Sequence, residues 1–394
     1  MELRKLNAND YDELLEMLNC VFEKQNKRPM DFLRELPKMW VRDDKHMGYH
    51  TGIFENGKLV SVAGCYPLSL RIGDTTLLFA TTGNVATLPE YEGRGYFNTI
   101  FGEIMKELEQ MGVDGARLGG ERQRYARFGY EPAGCSYNII FNEKNRLKCF
   151  QDVGKDISFR VIEKDDVEAL EFCYQLIRQS AIYVERSSEE NYRDVYLALC
   201  SLNATPYLAH EKGRPIGYLS VVADNHLSES FVKGRHICEL RYDGLNNFIP
   251  IICAWQRYVE SDITFKLAPH MLDELQLMVS CAEDLSMTSP SRFKIINYEK
   301  IADAFLKLKT SKEPLQTGEI ILGIKDYGKI RLYVEEERVG CVKTERTPDI
   351  VLDKSEATRL LFGHMPVCAT ISTANSLCKD WLPLPFSWNT LDYV

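Results

Sequence analysis

The chain has 394 residues, of which 45% are hydrophobic and 27% charged, and 57 acidic side chains outnumber 48 basic ones to give a net charge of −9. This composition predicts a folded protein of two or three domains rather than a disordered chain. The acidic balance argues against nucleic acid and anionic membranes as partners and favours a cationic one.

The cysteines and the first residues bear on the compartment. The 12 cysteines stand among apolar neighbours without a Cys-x-x-Cys pair, which is typical of buried thiols in a reducing compartment and argues against disulfides or a zinc site. Met1–Lys5 form no apolar leader, and no apolar run reaches the roughly 18 residues of a membrane span. We therefore expect a cytoplasmic protein. His46 and His50 are four residues apart on a loop-like stretch, and no metal is expected there.

Two short patterns recur at a constant spacing of 156 residues. The first pattern consists of a basic, an apolar and an acidic residue at fixed positions. The second is a Glu-x-Gly turn between two apolar runs, which is typical of a β-hairpin. The pairs are Arg4-x-Leu6-x-x-x-Asp10 with Arg160-x-Ile162-x-x-x-Asp166, and Glu55-x-Gly57 with Glu211-x-Gly213. Because both keep one register, the sequence predicts tandem copies of one α/β unit.

The segment Val85–Phe97 indicates an apolar strand, a glycine-punctuated turn and the start of a helix. Gly93 and Gly95 permit positive φ, so consecutive backbone amides can converge on an anion at the positive end of that helix. An apolar stripe at the 3.6-residue period predicts the helix, and Gly112 is its expected stop. A phosphate-binding turn is predicted, although a Gly-x-Gly turn also occurs without any ligand.

The second copy differs at this point. Advanced by the same spacing, the turn falls on Ile249–Cys253, which has no glycine and loses an amide at Pro250. We therefore predict a catalytic unit at residues 1–145 and a degenerate copy at 157–287 that supports it and forms a wall of the acceptor cleft.

A third unit is predicted at residues 290–394, after the composition changes at Thr288–Ser291. Periodicity and capping residues indicate helix, antiparallel strands, a further strand and a helix that ends at Gly363. This arrangement resembles the sterol carrier protein fold. Its apolar positions more often form a core than a lipid pocket, so no sterol ligand is assigned.

The Val85–Phe97 and Tyr125–Tyr130 segments resemble the acetyl-CoA site of the GNAT acyltransferases. Their turn is usually Gln/Arg-x-x-Gly-x-Gly/Ala; here the outer positions are Glu92 and Phe97, while the central glycine is kept at Gly95. Together with the aromatic tail at 385–394, the order of the three units resembles the enhanced intracellular survival (Eis) family over essentially the whole chain.

This resemblance implies an α+β fold class: tandem GNAT folds, each a mixed and mostly antiparallel sheet with flanking helices, followed by a C-terminal sterol carrier protein-like α+β domain. It also implies a homo-oligomer, a hexamer in that family. The implied activity is transfer of an acetyl group from acetyl-CoA, as co-substrate and without a metal, to a primary amine such as an aminoglycoside, a polyamine or a lysine-like amine.

The resemblance also assigns catalytic roles. In the family the terminal carboxylate acts as the base, a role that falls on Val394 here and requires a pKa raised by burial. Tyr125 is the implied acid that protonates the departing thiolate. A covalent route through Cys20, Cys65 or Cys135 is disfavoured because none has basic surroundings readable from the sequence.

The implied cofactor contacts are strand-like pairing of residues 85–87 with pantetheine, an oxyanion-stabilising N–H near Val85, and amides of residues 93–98 on the pyrophosphate. The full cofactor set is Val85, Ala86, Thr87, Gly93, Arg94, Gly95, Tyr96, Phe97, Asn98 and Glu121. Candidate acceptor contacts are Glu23, Trp40 and Asp392. The alternative is an acyl-CoA-binding regulatory protein with little or no turnover, consistent with Glu92 at a normally cationic position.

Overall fold

The computed structural model describes residues 1–222, 235–289, 291–372 and 375–392. Val394, the base implied by the resemblance, lies outside the described residues. The described chain forms three successive groups of helices and strands, whose arrangement decides where the predicted site residues meet.

The first group lies within residues 1–150. Its strands are β1 (Glu2–Lys5), β2 (His50–Glu55), β3 (Lys58–Ile72), β4 (Thr75–Thr87), β5 (Gly115–Leu118), β6 (Glu131–Pro132) and β7 (Ser136–Phe141). Its helices are α1 (Tyr11–Asn26), α2 (Phe32–Glu35), α3 (Asp44–Met47), α4 (Tyr96–Met111), α5 (Arg122–Tyr125) and α6 (Glu143–Phe150).

The second group lies within residues 157–288. Its strands are β8 (Ile157–Val161), β9 (Ile182–Val184), β10 (Ala204–Glu211), β11 (Arg214–Val222), β12 (Ile237–Tyr242), β13 (Ile263–Leu267) and β14 (Asp284–Thr288). Its helices are α7 (Val167–Arg178), α8 (Glu189–Leu199), α9 (Phe248–Val259) and α10 (Leu272–Val279).

The third group begins at residue 292. Its strands are β15 (Arg292–Ile295), β16 (Gly318–Ile324), β17 (Gly328–Val334), β18 (Val339–Lys343) and β19 (Ile350–Leu352). Its helices are α11 (Tyr298–Thr310), α12 (Lys354–Phe362), α13 (Val367–Thr370) and α14 (Ser376–Trp381).

The structure shows why the two short patterns repeat. Each hairpin turns through two residues of positive φ, Asn56 and Gly57 at 52° and 80°, and Lys212 and Gly213 at 51° and 79°, the geometry of a type I′ turn. The basic and acidic positions are ion pairs: Arg4 Nη1 lies 2.7 Å from Asp10 Oδ2, and Arg160 pairs with Asp166. Both patterns therefore serve the same structural purpose in each copy.

The main sheet has the strand order β1-β2-β3-β4-β5-β15-β6, and β9 pairs with β3. Its pairs are antiparallel except β4 with β5, which run parallel. Helix α4 packs on this sheet through an apolar stripe that includes Ile100, Phe101 and Ile104, all 0% exposed. It ends at Gly112, whose φ is 63°, so the predicted helix and its stop are confirmed.

Two strands pair outside the group in which they lie along the chain. Strand β7 leaves the first group and lies between β13 and β14, antiparallel to both. Strand β15 returns from beyond the second group and lies between β5 and β6, also antiparallel to both. Strand pairing therefore joins segments on either side of the boundaries expected near residues 145 and 290. The sequence did not indicate this, because alternation predicts a strand without specifying its partner.

The constant spacing fails at the glycine turn. Residues 249–253 lie inside α9. This helix begins at Phe248, four residues earlier than expected when the repeat spacing is added to the first residue of α4. The corresponding turn is therefore Asp243–Asn247, where Gly244 has a φ of 79°, and the sequence alignment of this segment was wrong. Its Asn247 amide is already bonded to the Gly244 carbonyl at 3.0 Å.

The third group matches the predicted helices and strands. Its sheet has the order β18-β17-β16-β19, with β16 and β19 parallel. Asp353 caps α12 in a capping box with Glu356, as a helix start of this type requires. Its apolar side chains form a core continuous with Phe79 and Phe293 of the main sheet. In the described parts of the chain, no helix combines the length and apolarity needed to cross a bilayer.

Candidate active site

Strands β4 and β5 pair only over part of their length. Their parallel register runs from Phe79 opposite Gly115 to Thr82 opposite Leu118. Beyond this point β4 continues to Thr87, and none of the described strands pairs with its β5-facing edge there. A ligand with amide groups can extend the sheet along such an edge.

The turn after β4 presents free backbone donors. Gly93 and Gly95 have φ values of 77° and 83°, and Gly95 directly precedes α4. Among the described residues, amides 93–97 have no backbone acceptor, whereas the Asn98 amide donates to the Gly95 carbonyl at 3.0 Å. Five of the six predicted amides are thus available at the positive helix end, and the sixth, that of Asn98, is already engaged.

A cleft of about 460 Å³ extends from the open strand edge to this turn. Apart from Arg94 and Glu121, every residue of the predicted cofactor set lines it. The Arg94 guanidinium lies 3.4 Å from the Glu55 carboxylate and 4.7 Å from the Tyr91 ring centre, and Glu121 precedes α5 as an exposed residue. The exposed Glu92 does line the cleft.

Two arginines that sequence analysis missed also line the cleft. The guanidinium of Arg124 lies 4.7 Å and that of Arg127 5.5 Å from the Phe97 ring centre. Arg127 also donates to the Asn98 side chain. The clustering of Arg122, Arg124 and Arg127 around Tyr125 was the available signal, but only the fold shows which of the three face the cleft.

Tyr125 lies at the end of α5 and is 5% exposed. Its ring centre is 5.8 Å from that of Phe97 and 5.2 Å from that of Phe101, so it is fixed between the cleft wall and the core of α4. Burial raises the pKa of the Tyr125 phenol, against a smaller opposing effect of Arg124. The phenol is therefore protonated at neutral pH, as a general acid must be.

The described end of the tail is anchored between the first two groups. Lys38 Nζ donates to the Leu391 carbonyl at 2.5 Å, and Arg186 Nη2 lies 3.2 Å from Asp392 Oδ1. Arg186 also pairs at 3.3 Å with Glu239, which accepts a hydrogen bond from Asn389. Leu391 and Asp392 are 0% and 6% exposed, so the tail docks as its aromatic composition indicates.

The three candidate acceptor residues occupy different environments. Trp40 is 7% exposed and stacks on His50 at 5.8 Å between ring centres. The Asp392 carboxylate is neutralised by Arg186, while Glu23 lies exposed on α1. The structure does not bring these three together as one lining, and their acceptor role stays a prediction.

Two of the three candidate cysteine nucleophiles lie in surroundings that oppose thiolate formation. Burial raises the pKa of Cys65 to about 12 and that of Cys135 to about 11. A thiol with such a pKa is a poor nucleophile at neutral pH. Within the described residues, no three His, Cys, Asp or Glu side chains gather as metal ligands would.

His50 makes the protein sensitive to acid. Burial lowers its pKa from 6.5 to about 4, so only the unfolded chain binds this proton between these values. The contribution of neutral His50 to the free energy of unfolding is complete above pH 6.5 and is expected to fall by roughly 3 kcal/mol as the pH drops to 4. In urea titrations across this range, His50→Gln is expected to reduce this loss, whereas His46→Gln is the control. An unchanged slope for His50→Gln would contradict this account.

Comparison with known proteins gives a domain and a fold. Residues 2–133 match the family model described as an acetyltransferase (GNAT) domain. Over 93 residues, or 24% of this chain, the sequence is 31% identical to a ribosomal protein bS18-alanine N-acetyltransferase of Haemophilus influenzae. The chain spans 57% of the length of that curated relative.

Solved structures resemble the whole chain. A GCN5-related N-acetyltransferase from Anabaena variabilis has a TM-score of 0.68 at 15% identity, with 100% of both chains covered. Eis1 from Mycobacterium abscessus has a TM-score of 0.63 at 15% identity, covering 98% of this chain and 99% of its own. At such identity the likeness shows the fold alone. The chain is a mixed α+β protein with GNAT-like folds, and a GNAT domain occupies its first third.

Proposed function

We propose that this chain, with a GNAT acetyltransferase domain at residues 2–133, is an acetyl-CoA-dependent N-acetyltransferase acting on a primary amine. The observation that carries the proposal is the set of free amides at 93–97, placed at the end of a strand whose edge is open. These donors suit a pyrophosphate, and the strand edge suits the amides of pantetheine.

The proposal assigns roles to residues 85–87, which line this cleft, and to Tyr125, whose ring packs against the cleft residue Phe97. Residues 85–87 bind pantetheine through their backbone, and the Val85 amide stabilises the oxyanion that develops at the thioester carbonyl. Holding both reactants together is expected to be the largest contribution, since effective molarity is worth about 7–11 kcal/mol. Tyr125 donates its proton to the departing sulfur.

We also propose the α-carboxylate of Val394 as the base. The resemblance to the Eis family suggests this role, and the anchoring of residues 391 and 392 supports it. Burial, with smaller contributions from Arg186 and Arg117, lowers the pKa of Lys38, which holds the Leu391 carbonyl, to about 8.

The acceptor class remains as broad as the sequence indicated: an aminoglycoside, a polyamine or a lysine-like amine. The Haemophilus relative is named for the α-amine of an alanine, so a peptide with N-terminal alanine belongs in the panel. The test is calorimetry with acetyl-CoA followed by thiol release with these amines. No heat of binding would refute the proposal, and binding without thiol release across the panel would favour the regulatory alternative.

Three further properties are proposed from the resemblance. The third group of elements is a sterol carrier protein-like domain, the chain acts in the cytoplasm, and it assembles as a homo-oligomer, a hexamer in the Eis family. A division into units at 1–145, 157–287 and 290–394, with two strands paired outside their own unit, is part of the same proposal. Light scattering on the purified chain tests the assembly, and a monomeric mass would exclude it.

The two cleft arginines provide a separate prediction. Arg124→Ala and Arg127→Ala are each expected to weaken acetyl-CoA binding about fivefold, because each removes an exposed positive charge from the lining of the cleft. Calorimetry at low and high salt measures the effect, which shrinks as salt screens the charge. The control is Arg122→Ala on α5, which also carries Arg124; its guanidinium instead pairs at 3.0 Å with Glu131. Equal affinities for all three variants would contradict the assignment.

A further inference from the structure

Strand β4 is bulged just before the cleft begins. Its pairing with β3 passes from Gly83 opposite Gly64 to Ala86 opposite Val62. Asn84 and Val85 therefore oppose the single residue Ala63, as in a β-bulge. Asn84 has a φ of 54°, a left-handed conformation that non-glycine residues adopt only at a cost.

A buried chain of hydrogen bonds holds the Asn84 side chain. Asn84 Nδ2 donates to the Tyr66 hydroxyl at 2.5 Å, and that hydroxyl lies 2.7 Å from His50 Nε2. The other ring nitrogen of His50 lies 3.3 Å from the Met47 carbonyl. Since this carbonyl only accepts, His50 donates from Nδ1, and Nε2 accepts the Tyr66 proton. Each bond in the chain thus has one direction.

The surroundings leave the three hydrogen-bonded side chains little freedom to move. His50, Tyr66 and Asn84 are 0%, 4% and 5% exposed. A Cβ at Gly64 would lie 2.3 Å from the Tyr66 hydroxyl oxygen, so only glycine leaves room for this phenol. Trp40 covers the His50 ring from the other side, inclined by 19°. A satisfied buried network of this kind fixes one geometry.

We propose that His50, Tyr66 and Asn84 are positioning residues that hold the bulge and thereby aim the Val85 amide at the acetyl carbonyl. Val85 lines the cleft and directly follows Asn84. The proposal rests on the acetyltransferase function proposed above, because it assigns the aimed amide to the thioester. The left-handed residue and the three buried polar side chains then serve one purpose, which is to fix this donor before substrate binds.

The sequence permits a direct observation of this amide. Asn84-Val85 is the only Asn-Val pair in the chain. Protein labelled with carbon-13 at the asparagine carbonyl and nitrogen-15 in valine therefore gives a single NMR signal for the Val85 amide. In the free protein, Tyr66→Phe is expected to displace this signal from its wild-type position. The control is Tyr298→Phe, which removes another buried hydroxyl, bonded at 2.8 Å to the Lys354 carbonyl and at 2.9 Å to Thr358.

Kinetics with the full chain complete the test. Tyr66→Phe and Asn84→Ala are expected to lower kcat roughly three- to tenfold with little change in KM for acetyl-CoA. Asn84→Gly tolerates positive φ but loses the hydrogen bonds, so it should fall between wild type and Asn84→Ala. Tyr298→Phe should retain wild-type kcat. Thermal unfolding measurements test whether each variant is folded.

The inference is overturned if Tyr66→Phe leaves the Val85 signal in place, or displaces it without lowering kcat. Wild-type kcat in Asn84→Gly would also overturn it, because backbone freedom alone would then suffice. Failure of wild-type protein to bind acetyl-CoA refutes the proposed function instead. The Val85 signal of the free protein still decides whether the network holds the bulge.

Discussion

Replacing Tyr125 by phenylalanine is expected to lower kcat by roughly tenfold or more, because the departing thiolate would lose its proposed proton donor. The fold is retained, since the ring still packs between Phe97 and Phe101. KM for acetyl-CoA should change little, because the proposed cofactor contacts are made by the backbone of the turn and the strand edge. Steady-state thiol release with the best amine of the panel measures both constants.

Tyr130→Phe is the matched control for this substitution. Its hydroxyl belongs to the same aromatic cluster but lies 3.3 Å from Thr82 and is fully buried. The pKa of Tyr125 is raised by burial, so the wild-type rate should show no loss from its ionisation below about pH 10. Equal kcat values for Tyr125→Phe and wild type would remove Tyr125 from the mechanism.

Appending two or three residues after Val394 lowers kcat by roughly tenfold or more. The extension moves the α-carboxylate away from the place where the proposed base must accept a proton. Lys38 and Arg186 still hold residues 391 and 392, so the tail stays docked and thermal stability is nearly unchanged. The fall of kcat at acidic pH should become smaller, because the base whose protonation causes it is no longer in place.

The same short extension placed before Met1 is the control, since Met1 is 76% exposed. It should leave kcat and its pH profile unchanged. If both extended proteins turn over at the wild-type rate, the terminal carboxylate is not the base. If both are equally slow, the loss has a cause other than the position of the tail.

The elements of this protein could be predicted where the signal is local. The helix from Tyr96 to Met111 follows from apolar periodicity and the stop at Gly112, and the hairpin turns follow from their glycines. The amides at 93–97 could be located for the same reason, because two glycines and a following helix specify the turn.

Features that depend on contacts between distant segments could not be predicted. Lys38 and Leu391 are far apart in the chain, and nothing in either segment indicates the other. The network of Asn84, Tyr66 and His50 is equally hidden, since sequence does not show that a bulge brings them together. The spacing of the repeat misplaced the second turn because the two copies differ in loop length.

The pairing of β7 and β15 outside their own groups also governs how the chain can fold during its synthesis. The first sheet has a gap between β5 and β6 until residues 292–295 have emerged from the ribosome. Strand β7 likewise cannot pair until β13 and β14, more than a hundred residues downstream, have been synthesised. Contacts of such sequence separation form late and slowly. We therefore expect a nascent chain stopped near residue 145 to be captured by chaperones, because neither sheet can yet close.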